Sequence, residues 1–128
     1  MSMNTFARIL EFIVALGLLN VWLVRARSST PYRGGKAKTL RQEFDAYGLP
    51  PIAFYVVGTL KVLAGVILLA AVWMPMPARL AATVVAGLMI GALLMHARAK
   101  DPARKFVPAA VMLAMCLGIV VLLQPAFR

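Results

Sequence analysis

Four polar side chains stand inside runs that are otherwise built for lipid: Glu11, Asn20, Lys61 and His96. An amine, a carboxylate, an amide and an imidazole can make an ion pair, hold a ligand head group or carry a proton. An imidazole titrates near neutral pH. The stretch "GTLKVLAGVILLAAVW" is apolar from Gly58 to Trp73 except for Lys61 and the hydroxyl of Thr59. A charged side chain at a bilayer centre costs about 2.5–3.5 kcal/mol on insertion scales, so such residues are functional candidates. Lys61 lies about ten residues from either end of its run, roughly 15 Å from each surface at 1.5 Å per residue. That is deep for snorkelling.

Its surroundings give it a direction. Gly58 and Gly65 flank Lys61 at i−3 and i+4, so a neighbouring backbone can approach that face and the amine points into a bundle. Glu11 and Asn20 are nine residues apart, on opposite faces of a regular helix. Only one of them can face Lys61. Glu11 offers the opposite charge and is the preferred partner; Asn20 stays open. Such a pair serves either as a structural register device or as a ligand, quinone-headgroup or proton site. His96 is placed at a helix end, where bonding to a carbonyl or the headgroup region is electrostatically natural.

The elements that must position these groups are read from charge and hydropathy. The chain has 128 residues, 62% hydrophobic and 14% charged, with mean hydropathy +0.87. Soluble domains are nearer a quarter charged. Four runs of about 20 apolar residues, enough to cross a bilayer, are expected at about 6–24, 51–73, 77–97 and 105–124. In lipid such runs must be helical. The expected fold is therefore all-α: an integral membrane four-helix bundle forming one domain over 1–128. The first run lacks a small-x-small cleavage signal and reads as a retained helix.

The loop between the first two spans carries Arg25, Arg27, Arg33, Lys36, Lys38 and Arg41, and the loop between the last two carries Arg98, Lys100, Arg104 and Lys105. The other side holds Arg8, Arg79 and Arg128. Basic loops stay cytoplasmic. Both termini are placed outside and both basic loops inside a bacterial cytoplasmic membrane. The net charge of +10 is a topology signal and an attraction to anionic lipid headgroups, not a nucleic-acid footprint. In the first loop Leu40, Phe44 and Tyr47 recur at i, i+4 and i+7. They predict a short amphipathic helix that ends at Gly48 and lies at the cytoplasmic interface or packs under the bundle.

The remaining chemistry is thin. The lone Cys116 reads as a small buried hydrophobe, and one histidine gives no metal-ligand spacing. No metal site is expected. "MPMP" at 74–77 reads as a proline-bounded turn. Gly87 and Gly91 form a G-x-x-x-G read as packing within the bundle or between protomers. No phosphate loop, serine triad or paired carboxylates are visible, so no catalytic residue is named and no catalysis is assigned to this chain alone.

The run "FDAYGLPPIAFYVVGTLKVLAGVILLA" resembles the DoxX-like family of small four-helix membrane proteins, through Phe44, Gly48, Pro50, Gly58, Lys61 and Gly65. The later "MHARAKDPARKFVPA" is similar to that family's His followed by an Asp-Pro turn, here His96 and Asp101-Pro102. One departure is "ARLAATVVAG", where some relatives carry an acidic residue. What the resemblance implies is mostly architecture: a membrane protein of unassigned reaction, read as an accessory subunit of a membrane assembly, redox or quinone-linked, with no cofactor expected unless it is a quinone, and with a protein partner or a homodimer as its company. Relatives are linked to oxidoreductase assemblies, to a quinone-reducing subunit and, in animals, to receptor chaperoning. The alternative is a small multidrug-resistance-type, proton-coupled transporter that would use Glu11. Its relatives have short loops, whereas the basic loop here is long.

Overall fold

The computed structural model describes residues 3–24, 32, 34 and 37–123. The basic residues Arg25, Arg27, Arg33 and Lys36, together with Gln124 and Arg128, lie outside the described residues. Among the described residues five α-helices follow in order: α1 (Met3–Leu19), α2 (Leu40–Ala46), α3 (Pro51–Ala71), α4 (Ala78–Arg98) and α5 (Val107–Leu122). α1 runs on into a π-helical turn, Asn20–Val24, and a 3₁₀ turn, Ala103–Phe106, leads into α5. Four segments are long and apolar enough to cross a membrane: Thr5–Val24, Pro51–Ala71, Ala78–Arg98 and Ala103–Leu122. The spans begin and end within a few residues of the sequence expectation. The all-α membrane bundle is the fold of this chain.

The spans form a ring. α1 packs against α3 and α5, and α4 packs against the same two helices. On α1 the buried residues Ala7, Glu11, Val14, Ala15 and Leu18 make one stripe, while Phe6, Ile9, Ile13 and Leu16 are exposed on the other face. In a soluble protein that outer face would be a defect; in lipid it is the expected exterior. α4 turns Ala78, Ala81, Ala82, Val85, Ala86 and Met89 inward, at helical spacing. The core is rich in alanine, which brings helices close in a setting where dispersion and not hydrophobicity drives association. Leu68, Val85, Cys116 and Ile119 fill the remaining centre. Cys116 is fully buried among them, as a small hydrophobe would be.

Helix α2 lies under the bundle against α3, with Leu40, Phe44 and Tyr47 buried. Thr39 caps it: its hydroxyl accepts the Gln42 N–H at 3.1 Å, one of the orphan donors of a first turn. At its other end Gly48 takes φ +74°. The Gly48 N–H bonds the Asp45 carbonyl at 3.0 Å and the Leu49 N–H bonds that of Phe44 at 3.1 Å, a Schellman turn that glycine enters without a Cβ penalty. Pro51 then opens α3, where its missing N–H costs nothing.

The reading of the G-x-x-x-G as packing within the bundle is corrected. Among the described residues a Cβ on Gly87 or Gly91 would meet nothing within 4 Å, so these glycines bring none of the described helices close. The tight glycines are elsewhere: Gly58 lies under the Trp22 ring and Gly65 under Leu18 and Leu19. The sequence reading rightly took α3 to be approached at Gly58 and Gly65, but side chains of the first span fill the space, not backbone.

Candidate functional site

The two ends of the bundle hold different polar chemistry. At the end opposite the basic loops, Arg8 Nη1 lies 3.1 and 3.3 Å from the two Glu11 oxygens and donates to the Ala71 carbonyl at 2.5 Å. Glu11 is fully buried. Arg79 Nε donates to the Val120 carbonyl at 3.3 Å. Both arginines thus serve carbonyls near helix C-termini, α3 for Arg8 and α5 for Arg79, where unpaired acceptors and the negative end of the dipole sit.

This corrects the preferred Lys61–Glu11 pair. Glu11 is claimed by the arginine one turn before it on the same helix. Among the described residues Lys61 makes no ion pair.

Lys61 instead lines a cavity of about 340 Å³ in the basic half of the bundle, with Asn20, Trp22, Glu43, His96 and Lys105 also on its walls. Leu18, Val21, Met89 and Met112 supply apolar lining. The volume falls within the roughly 300–1,000 Å³ of small-molecule pockets, as does the pattern of apolar walls with few polar groups. Three of the four expected site residues, Lys61, Asn20 and His96, are therefore brought together; Glu11 is not. Asn20, on the face of the first span opposite Glu11, is the one of the two that reaches the Lys61 cavity; the choice of Glu11 by charge is what misplaced the pair, because Arg8 takes its carboxylate.

His96 is buried, and not bonded to a carbonyl or turned to headgroups as expected of a helix-end histidine. Its Nδ1 lies 2.8 Å from Asp101 Oδ2 and 3.1 Å from the Tyr47 hydroxyl. The Tyr47 O–H donates to Glu43 Oε1 at 3.1 Å. Tyr47 has one proton to give and Glu43 takes it, so Nδ1 carries the hydrogen and donates to Asp101, with the Tyr47 oxygen as second acceptor. The tautomer is assigned from this donor count. It leaves Nε2 as the ring atom without a partner among the described residues. Lys105 Nζ completes the chain at 3.8 Å from Asp101 Oδ1. Burial first, and the Glu43 carboxylate second, push the Tyr47 phenol above its usual range, so it stays a donor.

The backbone places Asp101. Lys100 adopts φ 56°, the Lys100 N–H bonds the Ala97 carbonyl at 3.1 Å and the Asp101 N–H bonds that of His96 at 3.0 Å. This second Schellman turn folds Asp101 back onto the imidazole five residues earlier.

The aromatic cluster beside the cavity was not legible in the sequence. Trp22, Phe44 and Phe54 pack with centroids 5.3 to 5.9 Å apart. Lys61 Nζ stands 5.6 Å from the Trp22 ring, a cation–π distance. Glu43 lines the same cavity as Lys61. Glu43 and Tyr47, one turn apart on the loop helix, carried the available signal. Among the described residues no three of His, Cys, Asp and Glu gather as metal ligands.

Residues 34–119 match the sequence pattern of the DoxX-like family. The chain belongs to the DoxX-like family. The matched stretch holds the DoxX-like segment from α2 through most of α5, including Glu43, Tyr47, Lys61, His96 and Asp101. As a DoxX-like protein it is a multi-pass membrane protein in contact with the bilayer. No curated protein and no solved structure matches it.

Proposed function

We propose that this DoxX-like protein is a ligand-binding accessory subunit of a membrane redox assembly, and that its cavity takes the head group of a quinone. The observation that carries this reading is Lys61: a cation without an ion pair among the described residues, on the wall of an apolar cavity, beside Asn20 and His96. Those three groups are donors or can become donors, and a quinone offers two carbonyl acceptors on an apolar body. The ammonium of Lys61 and the amide of Asn20 hold a carbonyl. Burying a polar head group without such partners would be costly. Electrons come from a partner protein, and no residue of this chain is assigned a redox step.

The basic end is the cytoplasmic end in this reading, by the excess of lysine and arginine there. A reporter joined at Asp101 should then read cytoplasmic and one joined at Met74 external; the reverse would overturn the orientation. The transporter alternative needs Glu11 as a mobile proton carrier. Arg8 holds both of its oxygens, so no observation favours it.

The test is a titration of a short-chain quinone into the protein in lipid nanodiscs, followed by Trp22 fluorescence in a Trp73→Phe background. Binding should saturate, and Lys61→Met should weaken it at least tenfold with little change in melting temperature. Lack of saturation, or equal affinity in Lys61→Met, would sink the proposal.

A further inference from the structure

Trp22 belongs to two concavities. One is the inner cavity with Lys61; the other is a groove on the outer side of α3, lined by Tyr55, Gly58, Leu63 and Val66. Tyr55, Leu63 and Val66 are between 50% and 61% exposed, so the groove faces lipid. The indole is thus the partition between bilayer and cavity.

The partition sits on a seat made for it. A Cβ on Gly58 would come within 2.6 Å of the Trp22 ring, so glycine is what lets the ring pack this close to α3. Below it, Gly65 meets Leu18 and Leu19, and α1 closes on α3. Directly behind the ring stands the Lys61 ammonium, 5.6 Å from its centroid. The ring is carried on the π turn Asn20–Val24, a wider and less regular backbone that is frequent at functional sites. Leu23 and Val24, next along this turn, are 65% and 73% exposed.

We propose that Trp22 is a lateral door. A bilayer-dissolved molecule with an apolar body and a hydrogen-bond-accepting head passes from the groove on α3 to Lys61 when the indole swings off Gly58. The cation–π contact holds the door against the lysine. A head group that takes the ammonium competes with the ring for it, so occupancy and opening are coupled. The ligand class is that of the preceding section, on which the door's purpose rests; the door itself is testable without any quinone.

The test uses the full chain in lipid vesicles and two amine-reactive probes. Dodecyl isothiocyanate is dissolved in the bilayer; a sulfonated N-hydroxysuccinimide ester is confined to water. Modification of each lysine is followed by peptide mass spectrometry in wild type, Trp22→Phe and Trp22→Ala, with melting temperatures to confirm folding. The lipid probe should modify Lys61 slowly in wild type, several-fold faster in Trp22→Phe and at least tenfold faster in Trp22→Ala. The aqueous probe should modify exposed Lys100 readily and leave the Lys61 rate unchanged across the three. Equal Lys61 rates from lipid in wild type and Trp22→Phe would overturn the door, as would aqueous modification of Lys61 as fast as Lys100. Should Trp22→Ala not fold, Trp22→Phe decides. A failed quinone titration with this labelling pattern intact would remove the ligand assignment and keep the door.

Discussion

The Tyr47 hydroxyl lies 3.1 Å from Nδ1 of His96, 49 residues along the chain. This bond ties the loop helix α2 to the end of α4 beside the cavity. With Glu43 on one side and Asp101 on the other it makes a continuous polar chain. Tyr47→Phe keeps the ring and removes the link. A buried group that loses its partner costs about 1–3 kcal/mol, so the variant should lose about that much stability and melt at a lower temperature. An unchanged melting curve would mean that the chain does not hold α2 in place.

The same tyrosine gives a pH dependence. Its phenol is raised above the ordinary 10.0 by burial, then by Glu43. An unfolded chain would ionise this phenol first, so the unfolded state releases protons before the native one. The stabilising contribution is therefore complete below pH about 10 and is lost as pH rises above it. Alkaline denaturation followed by tyrosinate absorbance should show Tyr47 ionising only with unfolding. The difference spectrum against Tyr47→Phe isolates it. A native-state phenolate at Tyr47 near pH 10 would contradict the geometry.

At the opposite end, Arg8→Met leaves the fully buried Glu11 carboxylate without its guanidinium. Breaking a buried pair costs about 3–5 kcal/mol. Arg8 is 45% exposed, so the loss should fall toward or below the lower bound. Arg8→Met with Glu11→Gln should recover part of it, and a double-mutant cycle measures the coupling. A coupling of zero would reduce the contact to geometry without energy.

Lys100 holds a left-handed backbone at the end of α4. A residue with a Cβ pays roughly 1–2 kcal/mol there, and glycine costs roughly 0.5–1 kcal/mol more in chain entropy. Lys100→Gly should therefore stabilise the protein by up to about 1.5 kcal/mol, the balance of these two effects. Destabilisation would show that the lysine side chain, not the turn, matters at this position.

What the sequence disclosed and what it hid have physical causes. The spans are legible because lipid admits only long apolar runs, and lysine and arginine mark their ends. The loop helix is legible from Leu40, Phe44 and Tyr47, and its end from Gly48, because both follow helix geometry. Lys61 was located on an inward face by its flanking glycines. Its neighbours were not, since a pairing rule by charge chose Glu11 while Arg8 stood nearer on the same helix. The Trp22–Phe44–Phe54 cluster escaped because three helical segments supply one ring each. His96 and Asp101 read as a helix end and a turn; only the Schellman geometry at Lys100 turns one onto the other.

The claim at the centre of this account is that the Lys61 cavity holds a ligand head group. A photoreactive quinone analogue in lipid nanodiscs, with crosslinked peptides mapped by mass spectrometry, tests it most directly. Crosslinks should fall on cavity-lining residues such as Gly17, Asn20 and Trp22, Met89 and Ala92, and Ala109 and Met112. Excess short-chain quinone should compete them away, and Lys61→Met should lose them. Crosslinks concentrated around Arg8, Trp73 and Arg79, or labelling unaffected by competitor and by Lys61→Met, would contradict it.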